Sequence, residues 1–243
     1  MIIGTDLSGT LIKEQAAAIG HKDWFRLMST LLEDPSVALM GNNPNYFLEV
    51  FGVMSRYTGL NPAIDSEKKL MTKLARNLFQ MCFLKSAKQA AAKNNLGYFE
   101  YLDLLKTLKT QKKDCKIALI TTTPQDIVNP LLKLIDCEKL FDHICKSDLS
   151  NKPNKKELLD QFQKQNGKLT FYVGNEYSDY VACTQLGITC FLINFDSEKY
   201  KKSITSTNPK NNTNLKEQIK IPPQNICKTI TELKEKIETL TTI

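Results

Sequence analysis

Four stretches of this chain set polar residues just beyond apolar runs or ahead of a helical pattern, and their residue types share one chemistry. Met1-Ile2-Ile3-Gly4-Thr5 runs into Asp6, with Ser8, Gly9 and Thr10 close behind. Lys116-Ile117-Ala118-Leu119-Ile120 runs into Thr121 and Thr122. Ser150-Asn151-Lys152-Pro153 stands ahead of a helical pattern, and Leu169-Thr170-Phe171-Tyr172-Val173 ends in Gly174-Asn175-Glu176-Tyr177-Ser178-Asp179. Phosphoryl transfer to a carboxylate would use this set. A carboxylate attacks phosphorus as the nucleophile. A hydroxyl, backbone amides and a lysine hold the equatorial oxygens and neutralise their charge. A Mg²⁺, bound by hard oxygen ligands, bridges nucleophile and phosphate.

Such residues must be brought to one edge of a sheet. An apolar run that gives way to an acid and a Gly-containing turn reads as a buried strand tip. In open α/β sheets, ligands bind beyond the carboxyl ends of the strands. From residue 98 onward, strand and helix patterns alternate. Tyr101, Leu105 and Leu108 form a helix face, and residues 116–121 read as a strand. Thr123 and Pro124 read as the N-cap and first residue of a helix that Pro130 should kink or restart. A short strand at 141–145, a helix at 155–165, a strand at 169–173, a helix at 178–186 and a strand at 189–193 follow. This alternation predicts an α/β fold with a doubly wound parallel sheet.

No strand pattern interrupts residues 14–95. Trp24, Leu27, Met28 and Leu31 recur at helical spacing until Asp34-Pro35. Phe47, Val50, Phe51, Met54 and Tyr57 make a second stripe. Ser66 reads as the cap of a longer helix carrying Leu70, Leu74, Leu78 and Met81. The chain is therefore expected to divide into an α/β core, 1–13 plus 96–243, and an all-helical insertion at 14–95. Residues 196–222, rich in Lys, Asn, Ser and Thr, read as a mobile loop. Thr229-x-x-Glu232 is a capping box for a last helix.

Composition narrows the function classes. The 243 residues carry 33 Lys+Arg against 26 Asp+Glu, a net charge of +7. The lysines fall on helix faces and in the polar segment near the C-terminus, so a solvated basic surface is expected and nucleic-acid binding is not. A positive field also suits a small phosphorylated substrate. The seven cysteines form no C-x-x-C and sit in apolar runs, as small buried hydrophobes do in a reducing compartment. With only two histidines, a zinc site is not expected. No signal-peptide pattern and no apolar stretch of membrane-spanning length is present, so a cytoplasmic protein with no membrane partner is expected.

The four stretches resemble the motifs of the haloacid dehalogenase-like (HAD) superfamily. Asp6-Leu7-Ser8-Gly9-Thr10-Leu11 is similar to its first motif, usually Asp-x-Asp-Gly-Thr-Leu, and Leu119-Ile120-Thr121 to its second. Lys152-Pro153 is similar to the third, and Gly174-Asn175-Glu176-x-x-Asp179 to the fourth, usually Gly-Asp-Ser-x-x-Asp. Leu186-Gly187-Ile188 also fits the phrase that follows the fourth motif. The resemblance covers the chain outside residues 14–95 and 196–222. It implies a Rossmann-like core whose helical insertion is a cap over the site. It implies Asp6 as nucleophile, Thr121 with Thr122 and Lys152 as phosphate ligands, and a Mg²⁺ held by Asp6, the Ser8 carbonyl and Asn175, supported by Asp179.

Two positions depart from the family pattern. Ser8 stands where a second Asp normally protonates the leaving group and later activates water. Positioned acid–base catalysis is worth roughly 10²–10⁴-fold, so slow hydrolysis is expected. Asn175 stands where an acidic metal ligand is usual, which removes one negative charge, and Glu176 is the adjacent carboxylate that could replace it. The leading expectation is a Mg²⁺-dependent phosphatase or phosphotransferase on a small phosphorylated metabolite. The alternative is a catalytically impaired pseudo-phosphatase acting as a binding module. A haloacid dehalogenase, which needs no metal, is the lesser alternative, because position 8 lacks that branch's aromatic residue.

Overall fold

A computed structural model describes residues 1–40, 46–147, 154–193 and 220–241. Among them six strands form one parallel sheet: β1 Ile2–Thr5, β2 Lys116–Pro124, β3 His143–Ser147, β4 Phe171–Gly174, β5 Cys190–Ile193 and β6 Ile226–Cys227. Their order is β3-β2-β1-β4-β5-β6, which puts β1 in the middle. The helices are α1 Glu14–Leu31, α2 Pro35–Met40, α3 Tyr46–Thr58, α4 Asp65–Ala92, α5 Phe99–Gln111, α6 Gln125–Leu134, α7 Lys155–Asn166, α8 Tyr177–Gln185 and α9 Ile230–Thr241.

Alternation along each strand divides the core into two layers. Ile3, Ile117, Leu119, Phe171, Val173, Phe191 and Ile193 pack on one face with Leu105 of α5, Leu131 of α6 and Leu233 of α9. Ala118, Ile120, Tyr172, Cys190 and Leu192 point to the other face, against Leu158, Leu159 and Phe162 of α7 and Cys183 of α8. Both faces of the sheet are covered, as the near-continuous apolar strands require. Six of the seven cysteines are buried free thiols, and burial pushes Cys137 up to about 12, far from a nucleophile.

Residues 14–92 hold no strand among those described. Trp24, Phe25, Val37, Val50, Val53, Met54 and Met71 give α1 to α4 an apolar centre of their own. The outgoing and returning connections are stitched together: Lys13 N donates to the Leu96 carbonyl at 2.9 Å and Tyr98 N to the Leu11 carbonyl at 3.0 Å. The helical insertion thus leaves and rejoins the core a few residues from Asp6.

The structure corrects several boundaries. β2 runs on through Thr123 to Pro124, so these residues extend the strand instead of capping a helix, and α6 starts at Gln125. α6 runs through Pro130, its sixth residue, to Leu134 without a restart, at the cost of the intrahelical bond that the missing N–H would have made. Ser66 lies inside α4, whose N-cap is Ile64 without a side-chain cap. The two-residue strand β6 and the short helix α2 were too brief to produce a periodic signal. Most of the 196–222 segment lies outside the described residues.

Gly20 lets α1 and α4 approach closely, since a Cβ there would lie 2.8 Å from the Phe83 Cα. Alanine improves helix propensity by about 1 kcal/mol. Overpacking against a backbone atom costs about 1–3 kcal/mol, so Gly20→Ala should lower stability on balance. Urea unfolding followed by Trp24 fluorescence should show a lower midpoint for the variant; an unchanged or higher one would contradict this packing.

Candidate active site

The register of the central strands determines which residues meet. Thr5 pairs with Leu119 of β2 on one side and Val173 of β4 on the other, so β1 and β4 end together beside a β2 that runs on to Pro124. Asp6 then leaves β1 with its N–H donated to the Val173 carbonyl at 2.9 Å. Gly9 turns the chain back at φ +75°, and a Cβ at this position would fall 2.0 Å from Asn175 Nδ2. Only glycine lets the turn after Asp6 lie flat against the turn after β4.

At the centre is a lysine. Lys155 Nζ lies 2.7 Å from Asp6 Oδ1 and 3.1 Å from Asp179 Oδ1. It also donates to the Ile120 carbonyl at 3.2 Å and to the Tyr172 hydroxyl at 2.9 Å. Tyr172 in turn donates to the same Ile120 carbonyl at 2.9 Å. The side chains of Lys155, Asp6 and Asp179 are 9%, 10% and 1% exposed, so water does little to screen their attraction. Asp179 Oδ2 accepts the Asn175 and Glu176 amides at 3.2 and 3.1 Å. Its Oδ1 is buried with no hydrogen-bond donor of good geometry, and the nearby Lys155 ammonium compensates its charge. A Cβ on residue 174 would come within 2.4 Å of Asp179 Oδ2, so glycine is what admits that carboxylate.

The site residues read from the sequence distribute as follows. Asp6, Asn175 and Asp179 converge. Thr121 is 1% exposed, three residues before the end of β2, where its hydroxyl donates to Thr123 Oγ1 at 3.0 Å and accepts the Thr123 amide at 3.1 Å. Thr122 follows it, half-buried, and Ser8 is likewise half-buried in the loop after Asp6. Glu176 is exposed and accepts from the Ser178 hydroxyl at 3.0 Å, so its carboxylate is used at the mouth of α8. Lys152 lies outside the described residues. Sequence reasoning missed Lys155, the lysine that the structure puts beside Asp6. Its local signal is the capping box of Asn154 and Glu157, which makes Lys155 the first residue of α7 and aims its base at the strand ends. Glu14, the first residue of α1, was also missed; its Oε1 accepts from Asn175 Nδ2 at 2.9 Å.

Burial dominates the electrostatics of Asp6. It pushes the carboxyl up from its ordinary 3.8 to about 6, against the pull of Lys155 and with the repulsion of Asp179. Burial acts to lower Lys155, but the two carboxylates more than offset it and hold the ammonium charged. The arrangement can present a partly dehydrated carboxylate oxygen as nucleophile and keep a fixed positive charge beside it. It has hard side-chain oxygens on Asp6, Asp179 and Asn175, and the Ser8 backbone carbonyl lies in the loop that follows Asp6. Among the described residues no three His, Cys, Asp or Glu side chains converge as a metal site, because two of these donors are an amide and a backbone carbonyl.

The folded chain holds the Asp6 proton more tightly than the unfolded chain does. Its contribution to stability is therefore complete below 3.8 and lost as pH rises through about 6. In metal-free protein the Asp6 carboxyl ¹³C signal should titrate near pH 6, and Lys155→Met, which removes the opposing charge, should move the midpoint higher. A wild-type midpoint at 3.8 would contradict the role given to burial.

Residues 43–193 match a family model described as haloacid dehalogenase-like hydrolase. No curated protein sequence matches the chain. Among solved structures, one described as a predicted phosphatase from Clostridium acetobutylicum superposes with a TM-score of 0.62 at 15% identity, covering 98% of each chain. The HAD-hydrolase YfnB from Bacillus subtilis, bound to magnesium, gives 0.57 at 12% identity over 100% of this chain and 98% of that one. L-2-haloacid dehalogenase from Xanthobacter autotrophicus, with chloropropionic acid covalently bound, gives 0.55 at 14% identity over 98% of each. At these identities the superpositions speak for the fold.

Proposed function

This chain belongs to the haloacid dehalogenase-like hydrolases, and on that premise we propose that it transfers phosphoryl groups from a small phosphorylated substrate to Asp6, with slow release to water or a second acceptor. The observation that carries this reading is the buried Lys155 ammonium, lodged between Asp6 and Asp179 at the carboxyl ends of β1 and β4.

An Asp6 oxygen attacks phosphorus, and the bond from phosphorus to the leaving oxygen breaks. Lys155 stays within reach of Asp6 and of any anion bound there, so negative charge that builds on phosphorus is met without reorganisation. Thr121 stands on the neighbouring strand as a hydroxyl ligand. The leaving oxygen takes its proton from water, since the Ser8 hydroxyl is too weak an acid to supply one near neutrality. For the same reason no base at position 8 activates the water that must cleave the aspartyl-phosphate. The second half-reaction is the slow one.

The donor set fits a hard divalent cation. Asp179 Oδ1 is a buried carboxylate oxygen that makes an ion pair with Lys155 at 3.1 Å but takes no geometric hydrogen bond, and Asp6, Asn175 and the Ser8 carbonyl would supply further oxygens. Mg²⁺ bound by these residues would neutralise charge between Asp6 and the phosphoryl group. The helical insertion rejoins the core beside Asp6 and would act as the cap that selects the substrate.

A second reading, a binding module that retains the pocket without turnover, is favoured by the Ser8 substitution. Turnover of a generic aryl phosphate separates the two. Asp6→Asn should abolish it, Lys155→Met should lower it by about 10²–10³-fold, and Ser8→Asp should raise it by about 10²-fold. Activity that survives Asp6→Asn would refute the nucleophile, and no gain from Ser8→Asp would favour the binding module.

A further inference from the structure

The acid absent from position 175 has a counterpart one hydrogen bond away. Asn175 Nδ2 donates to Glu14 Oε1 at 2.9 Å, while its Oδ1 accepts from Thr10 Oγ1 at 3.3 Å. The amide is thus held in one orientation, with nitrogen toward α1 and oxygen toward the turn after Asp6. Its edge fits against Gly9, where no Cβ could be accommodated. Glu14 is half-buried and opens α1, whose N-cap, Lys13, offers no side-chain hydrogen bond. An acidic residue is favoured at that helix end.

We propose that Glu14 is a positioning residue for the cation site: it fixes the flip of Asn175 so that the amide oxygen serves as donor, and it returns through that hydrogen bond the negative charge that position 175 lacks. The inference rests on the Mg²⁺-assisted reading of Asp6. The physical logic is a swap. A carboxylate at 175 would face the Glu14 carboxylate at hydrogen-bond distance, with like charges opposed. An asparagine there turns the same contact into a charge-assisted hydrogen bond. The pair keeps one negative charge but moves it from the core to the first residue of the insertion. The charge available to the cation therefore depends on α1 being seated beside the turn after β4, a dependence that a single acid at 175 would not have.

Groups that orient metal ligands typically contribute 10–100-fold to affinity. Isothermal titration of the full chain with Mg²⁺ alone should show Glu14→Gln weakening binding by about tenfold, because that change keeps an acceptor and removes the charge. The swapped variant, Glu14→Gln with Asn175→Asp, retains one amide–carboxylate hydrogen bond and one charge, and should bind within about threefold of wild type. Thermal melting in EDTA supplies a readout free of metal: Asn175→Asp alone should lower Tm, and adding Glu14→Gln should recover it. Wild-type binding that Glu14→Gln leaves unchanged, or additive Tm shifts, would overturn the inference while leaving the Asp6 reading intact. A wild-type chain that binds no Mg²⁺ would instead overturn the metal-assisted reading and this inference with it.

Discussion

The structure depends on keeping one ammonium group dry between two carboxylates. Removing a partner from a buried ion pair of this kind leaves an uncompensated charge and costs about 3–5 kcal/mol. Such a group persists only where every neighbour holds it in place. Lys155 has a carboxylate on each side, the Ile120 carbonyl and the Tyr172 hydroxyl, drawn from β1, β2, β4 and α8. The parallel register is what brings these residues to one level. A shift of one residue in β4 would turn Tyr172 onto the opposite face and remove its hydroxyl from the lysine.

The same network explains the glycines around it. Gly9 is where the turn carrying Asp6 comes against Asn175, and Gly174 leaves room for the Asp179 carboxylate within the turn after β4. Backbone economy at these positions and side-chain charge at Asp6, Lys155 and Asp179 are two parts of one arrangement. Family membership supplies the chemical class. Ser8 and Asn175 supply what is individual to this chain, namely a hydroxyl two residues after the proposed nucleophile and an amide held by the Glu14 carboxylate of α1.

Much of this was legible in the sequence. Apolar runs ending in Asp6 and Gly174 identified two strand tips, and the run before Thr121 identified the body of β2, because fully buried parallel strands leave continuous apolar signatures. The absence of strands among the described residues between 14 and 95 was equally plain. Lys155 was not legible by motif. Three lysines, Lys152, Lys155 and Lys156, fall within five residues, and only the capping geometry of Asn154 decides which of the described ones turns inward. Glu14 was hidden for a related reason. Its partner lies 161 positions away, and nothing local distinguishes it from an ordinary first-turn acid. The end of β2 was misread because Thr123-Pro124 is chemically as good a helix start as it is a strand end.

The central claim is that Asp6 becomes phosphorylated and holds the group longer than it would with an acid–base residue at position 8. The most direct measurement is to mix the protein with an aryl phosphate and Mg²⁺, quench in acid within seconds, and map the phosphoryl group by peptide mass spectrometry. A hydroxylamine-sensitive phosphoryl adduct on the Asp6 peptide, accumulating in the wild type and absent from Asp6→Asn, is the predicted result. No adduct on that peptide, or one of equal yield in Asp6→Asn, would contradict the account.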